Sequence, residues 1–244
     1  MHNVYDDARR ASAYAKLEFP GTYYLAYRDL PQIIGGGVKG RRALDFGCGT
    51  GRSTRFLRQL GFEVVGVDIA EDMIGKAREL DPRGDYRLIR DGGVGDLAKG
   101  AYDLILAAFT FDNIPGAERK ITIFEGLRRL LADGGRIVNL VSAPEIYTHE
   151  WASFSTRDFP ENLRARSGDT VKIVITDTED ARPVEDVVWS DRAYRQTYRA
   201  AGLTIVETYK PLASKCEPYP WINETRIAPW VIYLLKKTDC LSHP

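Results

Sequence analysis

Seven residues, Asp45-Phe46-Gly47-Cys48-Gly49-Thr50-Gly51, follow the short apolar stretch Ala43-Leu44 and lead into a helix-forming segment. Glycines at three alternate positions can neither extend a strand nor open a helix, so the chain turns tightly there. Backbone without a Cβ can also come close to a ligand. Strand, glycine turn and helix in this order open a βαβ unit, which commits the chain to a parallel sheet with helices on both faces. Ligands of such sheets bind beyond the carboxyl ends of the strands. The nicotinamide fingerprint GxGxxG would place its third glycine one residue after Gly51. Here the order is Asp-x-Gly-x-Gly-x-Gly, and the acid two positions before the first glycine suits a cationic ligand.

The flanking sequence continues the pattern. Residues 5–34 read as one or two helices broken at Pro20-Gly21, and the glycines at 35–37 with Gly40 form a loop. A helix is expected from about Ser53, with Ser53 or Thr54 as its N-cap and Gly61 after its end. Glu63 to Val67 is a β-branched strand that closes on Asp68. A helix over Glu71–Leu80 is stopped by Asp81-Pro82, and Tyr86–Ile89 is a third strand. Tyr102–Ala108 has the continuous apolar character of a strand buried on both faces. From Ala117 to Leu131, Ile121, Phe124, Leu127 and Leu131 recur at helical spacing. Gly134-Gly135 ends that helix, and Arg136–Val141 is strand five. Val171–Thr176 and Val184–Trp189 read as an inserted antiparallel hairpin. A helix (Asp191–Ala201) and two strands (Leu203–Tyr209, Trp230–Lys236) close the chain, the strands pairing antiparallel at the sheet edge.

Lys+Arg and Asp+Glu both number 34 in 244 residues, so the net charge is zero. Proteins that hold nucleic acid by neutralising phosphates carry a basic excess or stripe, which points instead to a small-molecule substrate and no nucleic acid. Cys48, Cys216 and Cys240 are too few and too widely spaced for a disulfide framework or a metal site. No basic leader or long apolar run is present, so a cytoplasmic location without a membrane partner is expected. Asn223-Glu224-Thr225 matches a glycosylation sequon and is read as chance.

The glycine run resembles the first motif of the class I S-adenosylmethionine-dependent methyltransferases. The resemblance is specific over roughly residues 40–142 and topological over 191–236. It implies a doubly wound, mostly parallel seven-stranded Rossmann-like sheet, with the antiparallel hairpin inserted over the substrate mouth. One globular domain would then comprise an N-terminal helical cover (1–40), the cofactor-binding core (41–142), the insertion (143–190) and the completion of the sheet (191–244). The implied cofactor is S-adenosyl-L-methionine. Asp45, with Gly47, Cys48, Gly49 and Gly51, matches the motif whose acid orders the methionine amino group. Asp68 matches the acid that accepts both ribose hydroxyls. Ile69 and Met73 fall where apolar side chains pack on the adenine, and Asp91-Gly92 where an acid meets its exocyclic amine. Phe109 falls at the methionine arm, and Tyr14 is the N-terminal tyrosine placed to reach the carboxylate. Leu131-Ala132-Asp133-Gly134-Gly135 resembles the family's Leu-x-Pro-Gly-Gly turn with Asp133 replacing proline. Where many members carry a histidine after strand four, this chain has Asp112-Asn113-Ile114, and no base is carried over.

The methyl acceptor is to be sought beyond residue 142. Tyr147, Trp151, Phe154, Tyr219 and Trp221 form either a pocket for a planar or partly apolar molecule or a second small core under the hairpin. His149 is either a base near neutral pH or a surface residue. The expected function is methyl transfer to a nitrogen or oxygen of a small molecule by a monomer or homodimer. The alternatives are an RNA or protein methyltransferase, or a non-methylating S-adenosylmethionine-binding protein.

Overall fold

The computed structural model describes residues 12, 13, 15, 19–90, 93, 94 and 96–238. Among the described residues, ten strands form two sheets. In the larger, β1 (Arg42–Phe46) pairs in parallel with β2 (Glu63–Asp68) and β4 (Tyr102–Ala108). β3 (Asp85–Leu88) lies outside β2, and β5 (Leu131–Ser142) outside β4. Then come β10 (Trp230–Lys237), antiparallel to β5, and β9 (Leu203–Tyr209) at the edge, antiparallel to β10. The order is β3-β2-β1-β4-β5-β10-β9, the seven-stranded, mostly parallel sheet expected. The smaller sheet contains the expected hairpin, β7 (Thr170–Ile175) and β8 (Val184–Val187). A two-residue strand that the sequence did not reveal, β6 (Phe154–Ser155), pairs with β7.

Strand periodicity divides the core. Leu104 and Leu106 of β4, Val138 and Leu140 of β5, and Ile232 and Leu234 of β10 face one side. Ile105 and Ala107, Ile137 and Val141, and Tyr233 and Leu235 face the other, as alternation of side chains along a strand requires. The first face is covered by α1 (Thr22–Arg28), α2 (Leu30–Gly35) and the small sheet. The second packs on α5 (Ala117–Leu130) and α6 (Asp191–Ala200). No helix among the described residues is long and apolar enough to cross a membrane.

Two local expectations are corrected. Helix α3 spans Arg52–Gln59, and neither Ser53 nor Thr54 caps it. The N-cap is Gly51, and both hydroxyls turn back to Asp45 Oδ2, at 2.7 and 2.6 Å, because a fully buried carboxylate needs donors. Gly134-Gly135 does not separate α5 from β5. The strand already pairs at Leu131 with Tyr102, and the register then jumps to Arg136 opposite Leu104. Residues 132–135 are thus a bulge within β5. Helix α4 (Glu71–Leu80) lies where it was expected.

Glu224, completely buried, joins three distant segments. Its Oε1 accepts the Thr22 hydroxyl of α1 and the Ala152 amide of the insertion, both at 2.7 Å. Its Oε2 accepts the amides of Ile222 and Asn223 in the β9–β10 connection, at 2.8 and 3.1 Å. Trp230 Nε1 adds a donation to the Thr22 carbonyl at 2.8 Å. Hydrogen bonds to a charged acceptor contribute about 1.5–3 kcal/mol each, and removing it strands buried donors. Glu224→Ala is therefore expected to lower unfolding free energy by at least about 3 kcal/mol in urea titrations. A loss below about 1 kcal/mol would show that the three segments hold together without it.

Candidate active site

The cofactor motif lies at the carboxyl ends of β1 and β2. Gly47, Gly49 and Gly51 all have positive φ. At Gly47 (φ 75°) an added Cβ would stand 2.2 Å from Thr110 Oγ1, and at Gly51 (φ 82°) 2.6 Å from the Tyr86 hydroxyl. Both positions therefore need glycine for space as well as for conformation. Asp45 accepts from Ser53 and Thr54 through one oxygen, while its buried Oδ1 has no hydrogen-bond partner. Burial raises its pKa to about 6 against the pull of those two donors. Asp68 is half-buried, its Oδ2 accepting the Gly49 amide at 2.8 Å and its Oδ1 the Ala70 amide at 2.9 Å. It thus pins the glycine turn to the end of β2. Ile69 beside it is 45% exposed, whereas Met73 is buried within α4. Cys48 packs with Ile74, Ala77 and Tyr86, and burial, with the Asp45 and Asp68 carboxylates nearby, pushes its thiol well above the usual range. It is an inert packing group. Tyr14, Asp91 and Gly92 lie outside the described residues.

Sequence reasoning missed Arg52, the first residue of α3. Its guanidinium lies over the rings of Tyr23, Phe19 and Tyr27, with the carbon 4.7, 5.4 and 5.6 Å from their centroids. It ties the N-terminal helix to the glycine turn.

Next to this turn opens a cavity of about 30 Å³, lined by Tyr23, Phe109, Phe154 and Trp230 on its aromatic side and by Asp112, Ser142, Tyr147 and Asp186 on its polar side. That volume holds roughly two waters, so it admits a head group and not a ring system. Phe109 forms part of the wall with φ 63°, the only non-glycine positive φ among the described residues. The next residue, Thr110, donates to the Phe46 carbonyl at 2.7 Å. The cavity's Phe109 is therefore the chain neighbour of Thr110, against which Gly47 packs.

Of the expected acceptor residues, Tyr147 and Phe154 line the cavity and three others do not. Trp151 is buried in the core with Nε1 donating to the Ile146 carbonyl. Tyr219 and Trp221 pack on each other, and Tyr219 on Tyr24, as an aromatic group outside the cavity. Their alternate spacing keeps them together, but the connection they occupy turns along α1. His149 also stands away from the cavity. Its Nδ1 lies 3.1 Å from the Glu145 carbonyl and 3.0 Å from Thr148 Oγ1, and its ring packs beside Trp151.

Titratable groups missed at the sequence level line or underlie the cavity instead. Asp112 accepts the Ser142 amide at 3.0 Å, and Asp186 accepts the Tyr147 hydroxyl at 3.0 Å. Lys120 is completely buried, its ammonium donating to the Phe111 carbonyl and lying 4.9 Å from the Trp189 ring centroid. Burial holds the Lys120 pKa down although Asp112 and Asp186 pull it up. Burial raises Asp112. Burial, then the neighbouring Asp112 charge, push Asp186 up to about 8. One signal in the sequence could have found this cluster: Lys120 stands four residues before Phe124 and seven before Leu127, on the apolar stripe of α5.

Asp186 binds its proton more tightly in the folded chain than at the usual aspartate value of 3.8. Its contribution to stability is full below about pH 4 and is lost as pH rises through about 8. Asn at this position can still accept from Tyr147 and carries no charge to bury. Asp186→Asn should therefore gain on the wild type by about 1–3 kcal/mol in urea unfolding between pH 5 and pH 8. An offset constant across that range would mean that Asp186 titrates normally.

Residues 44–137 match the family model described as a methyltransferase domain. The ubiquinone biosynthesis O-methyltransferase of Methylococcus capsulatus is 29% identical over 104 residues, 41% of this chain and 43% of that protein. The chain thus spans less than half the length of that relative. The 18S rRNA (guanine-N(7))-methyltransferase of Bos taurus is 29% identical over 193 residues, 67% of each chain. Among solved structures, the CcbJ methyltransferase from Streptomyces caelestis has a TM-score of 0.66 at 19% identity, covering 94% of this chain and 96% of that one. An S-adenosylmethionine-dependent methyltransferase from Clostridium acetobutylicum has a TM-score of 0.62 at 13% identity, covering 97% of both. The family match spans the glycine turn and strands β1 to β4, and the solved structures share the sheet that surrounds them. Residues 44–137 thus match a methyltransferase domain, and the whole chain shares the fold of solved S-adenosylmethionine-dependent methyltransferases.

Proposed function

We propose that the protein transfers the methyl group of S-adenosylmethionine to a nitrogen or oxygen atom of a small molecule. The observation that carries this reading is the adjacency of Phe109, which lines the small polar-aromatic cavity, and Thr110, which packs against Gly47 of the cofactor turn.

The strand ends fit the cofactor. Asp45 Oδ1 is a buried acceptor with no partner, suited to an ammonium or an ordered water. Asp68 stands half-buried at the end of β2, where a carboxylate, with about four acceptor sites, suits ribose hydroxyls. Ile69 presents apolar surface beside it. When bound, the cofactor supplies a methyl group already activated on a sulfonium. The chain's own task is then to align acceptor and methyl at about 3–3.5 Å and to exclude water. Gly49, with open space where a Cβ would stand, admits the close approach, Asp45 and Asp68 fix the two ends, and Phe109 forms the wall between cofactor and acceptor.

A small acceptor is supported by the cavity's size and by the zero net charge of the chain. A relative named for ubiquinone biosynthesis and one named for rRNA methylation share the same 29% identity with this chain over their matched residues, so identity alone does not choose between them. Asp68→Ala should weaken S-adenosylmethionine binding at least tenfold, about 1.4 kcal/mol, in calorimetric titration. Unchanged affinity would remove Asp68 from the site. Failure of the wild type to bind S-adenosylmethionine would sink the reading as a whole.

A further inference from the structure

Resting on that reading, we propose that the acceptor presents a protonated aliphatic amine, held by Asp186 and Asp112 among the aromatic walls, and that Asp186 takes its proton before methyl transfer. The argument begins with charge. Two carboxylates line the cavity, Asp112 from the turn after β4 and Asp186 from β8. One buried cation, Lys120, accompanies them, and its ammonium is bound to the Phe111 carbonyl among the rings of Trp189, Tyr194 and Phe111. With Lys120 charged, the cluster is neutral when one of the two acids is ionised. The second acid keeps its proton or meets another cation. An ammonium entering the cavity can take that proton's place.

The walls point the same way. Tyr23, Phe109, Phe154 and Trp230 are mutually packed, with ring centroids 4.8 to 5.9 Å apart across five of their pairs. Aromatic rings attract cations and not anions. A phenol or an acid would have to approach as a developing anion toward two carboxylates in a water-poor site, which like-charge repulsion disfavours. The cavity volume of about 30 Å³ suits an amino group on its first carbons and leaves the rest of the molecule outside.

The atoms balance simply. The ammonium gives a proton to the Asp186 carboxylate, which the Tyr147 hydroxyl holds in place. The freed nitrogen lone pair forms the bond to the methyl carbon as the carbon–sulfur bond breaks, its electron pair going to sulfur. The products are an N-methylammonium ion and S-adenosylhomocysteine, and the proton on Asp186 leaves to solvent.

The test uses the whole protein saturated with S-adenosylhomocysteine, with ethylammonium as the probe and ethanol as its neutral counterpart. Binding is read by saturation-transfer NMR. Ethylammonium should bind at least tenfold more tightly than ethanol, and at least tenfold more tightly to the wild type than to Asp186→Asn. Its affinity should rise from pH 6 to pH 8 and then level, because the cation needs Asp186 ionised. The groups facing Asp186 do not reverse that sign. Asp112 gains charge and Lys120 loses it over the same range, while the Tyr147 and Tyr194 hydroxyls are held neutral. Should Asp186→Asn fail to fold, the pH series on the wild type carries the test alone. Equal binding of ethanol, no binding of ethylammonium, or affinity that does not rise with pH would overturn the amine assignment and leave the methyltransferase reading standing. Failure to bind S-adenosylhomocysteine would overturn that reading first.

Discussion

The polar-aromatic cavity depends on one buried carboxylate that holds its walls together. Tyr23 comes from α1, Phe154 from the insertion and Trp230 from the start of β10, and these three segments share little sequence proximity. Glu224 accepts hydrogen bonds from the residue next to Tyr23, from Ala152 near Phe154, and from the loop that leads to Trp230. Thr22 and Ser153 add a reciprocal pair, each side-chain oxygen accepting the other's amide, at 2.9 and 3.1 Å. A charged group completely removed from water is tolerable only with all its acceptor capacity used. Satisfying Glu224 therefore fixes the separation of three elements to hydrogen-bond tolerance, and the aromatic cluster closes over that frame.

The cofactor end is built on a different principle. There the backbone does the positioning, and side chains anchor it: Asp68 grips the Gly49 amide, and Asp45 accepts the Ser53 and Thr54 hydroxyls. The helix that follows starts from Gly51 as its N-cap and so has no side-chain cap. Phe109 in the left-handed region adds a second departure from local preference, of the kind that the surrounding structure must impose. Thr110 imposes it through its bond to the Phe46 carbonyl.

This contrast explains what the sequence disclosed. The strands, the parallel order and the glycine turn were legible because each is a local signal: period-two burial, β-branched runs, and glycines that no other residue could replace. The bulge at residues 132–135 was not, since Gly-Gly at a helix end looks the same whether it terminates a strand or interrupts one. The cavity was hidden for a stronger reason. Tyr23, Asp112, Asp186 and Trp230 are separated by most of the chain, and nothing in their neighbours marks them. Aromatic residues at 147–154 and 219–221 gave a visible signal, and it pointed partly elsewhere: Trp151 fills the core, and Tyr219 with Trp221 covers α1. Density of aromatic residues indicates burial, and burial is shared between core and pocket.

Lys120, Asp112 and Asp186 also bear on how the fold divides its work. Apolar residues of similar volume at these three positions would often be neutral or stabilising, and a helix stripe such as that of α5 would accept a leucine at 120 without strain. Packing alone thus gives no reason to keep three titratable groups there, and their perturbed protonation marks a functional site in general. Their distribution is informative. Lys120 and Asp112 belong to the sheet's own helix and turn, whereas Asp186 and its partner Tyr147 come from the segment inserted after β5. The frame supplies one cation and one acid, Lys120 on the Phe111 carbonyl and Asp112 on the Ser142 amide. The inserted segment supplies the additional acid and the hydroxyl that orients it, so the charge presented to an acceptor is set by the insertion while the cofactor turn stays untouched.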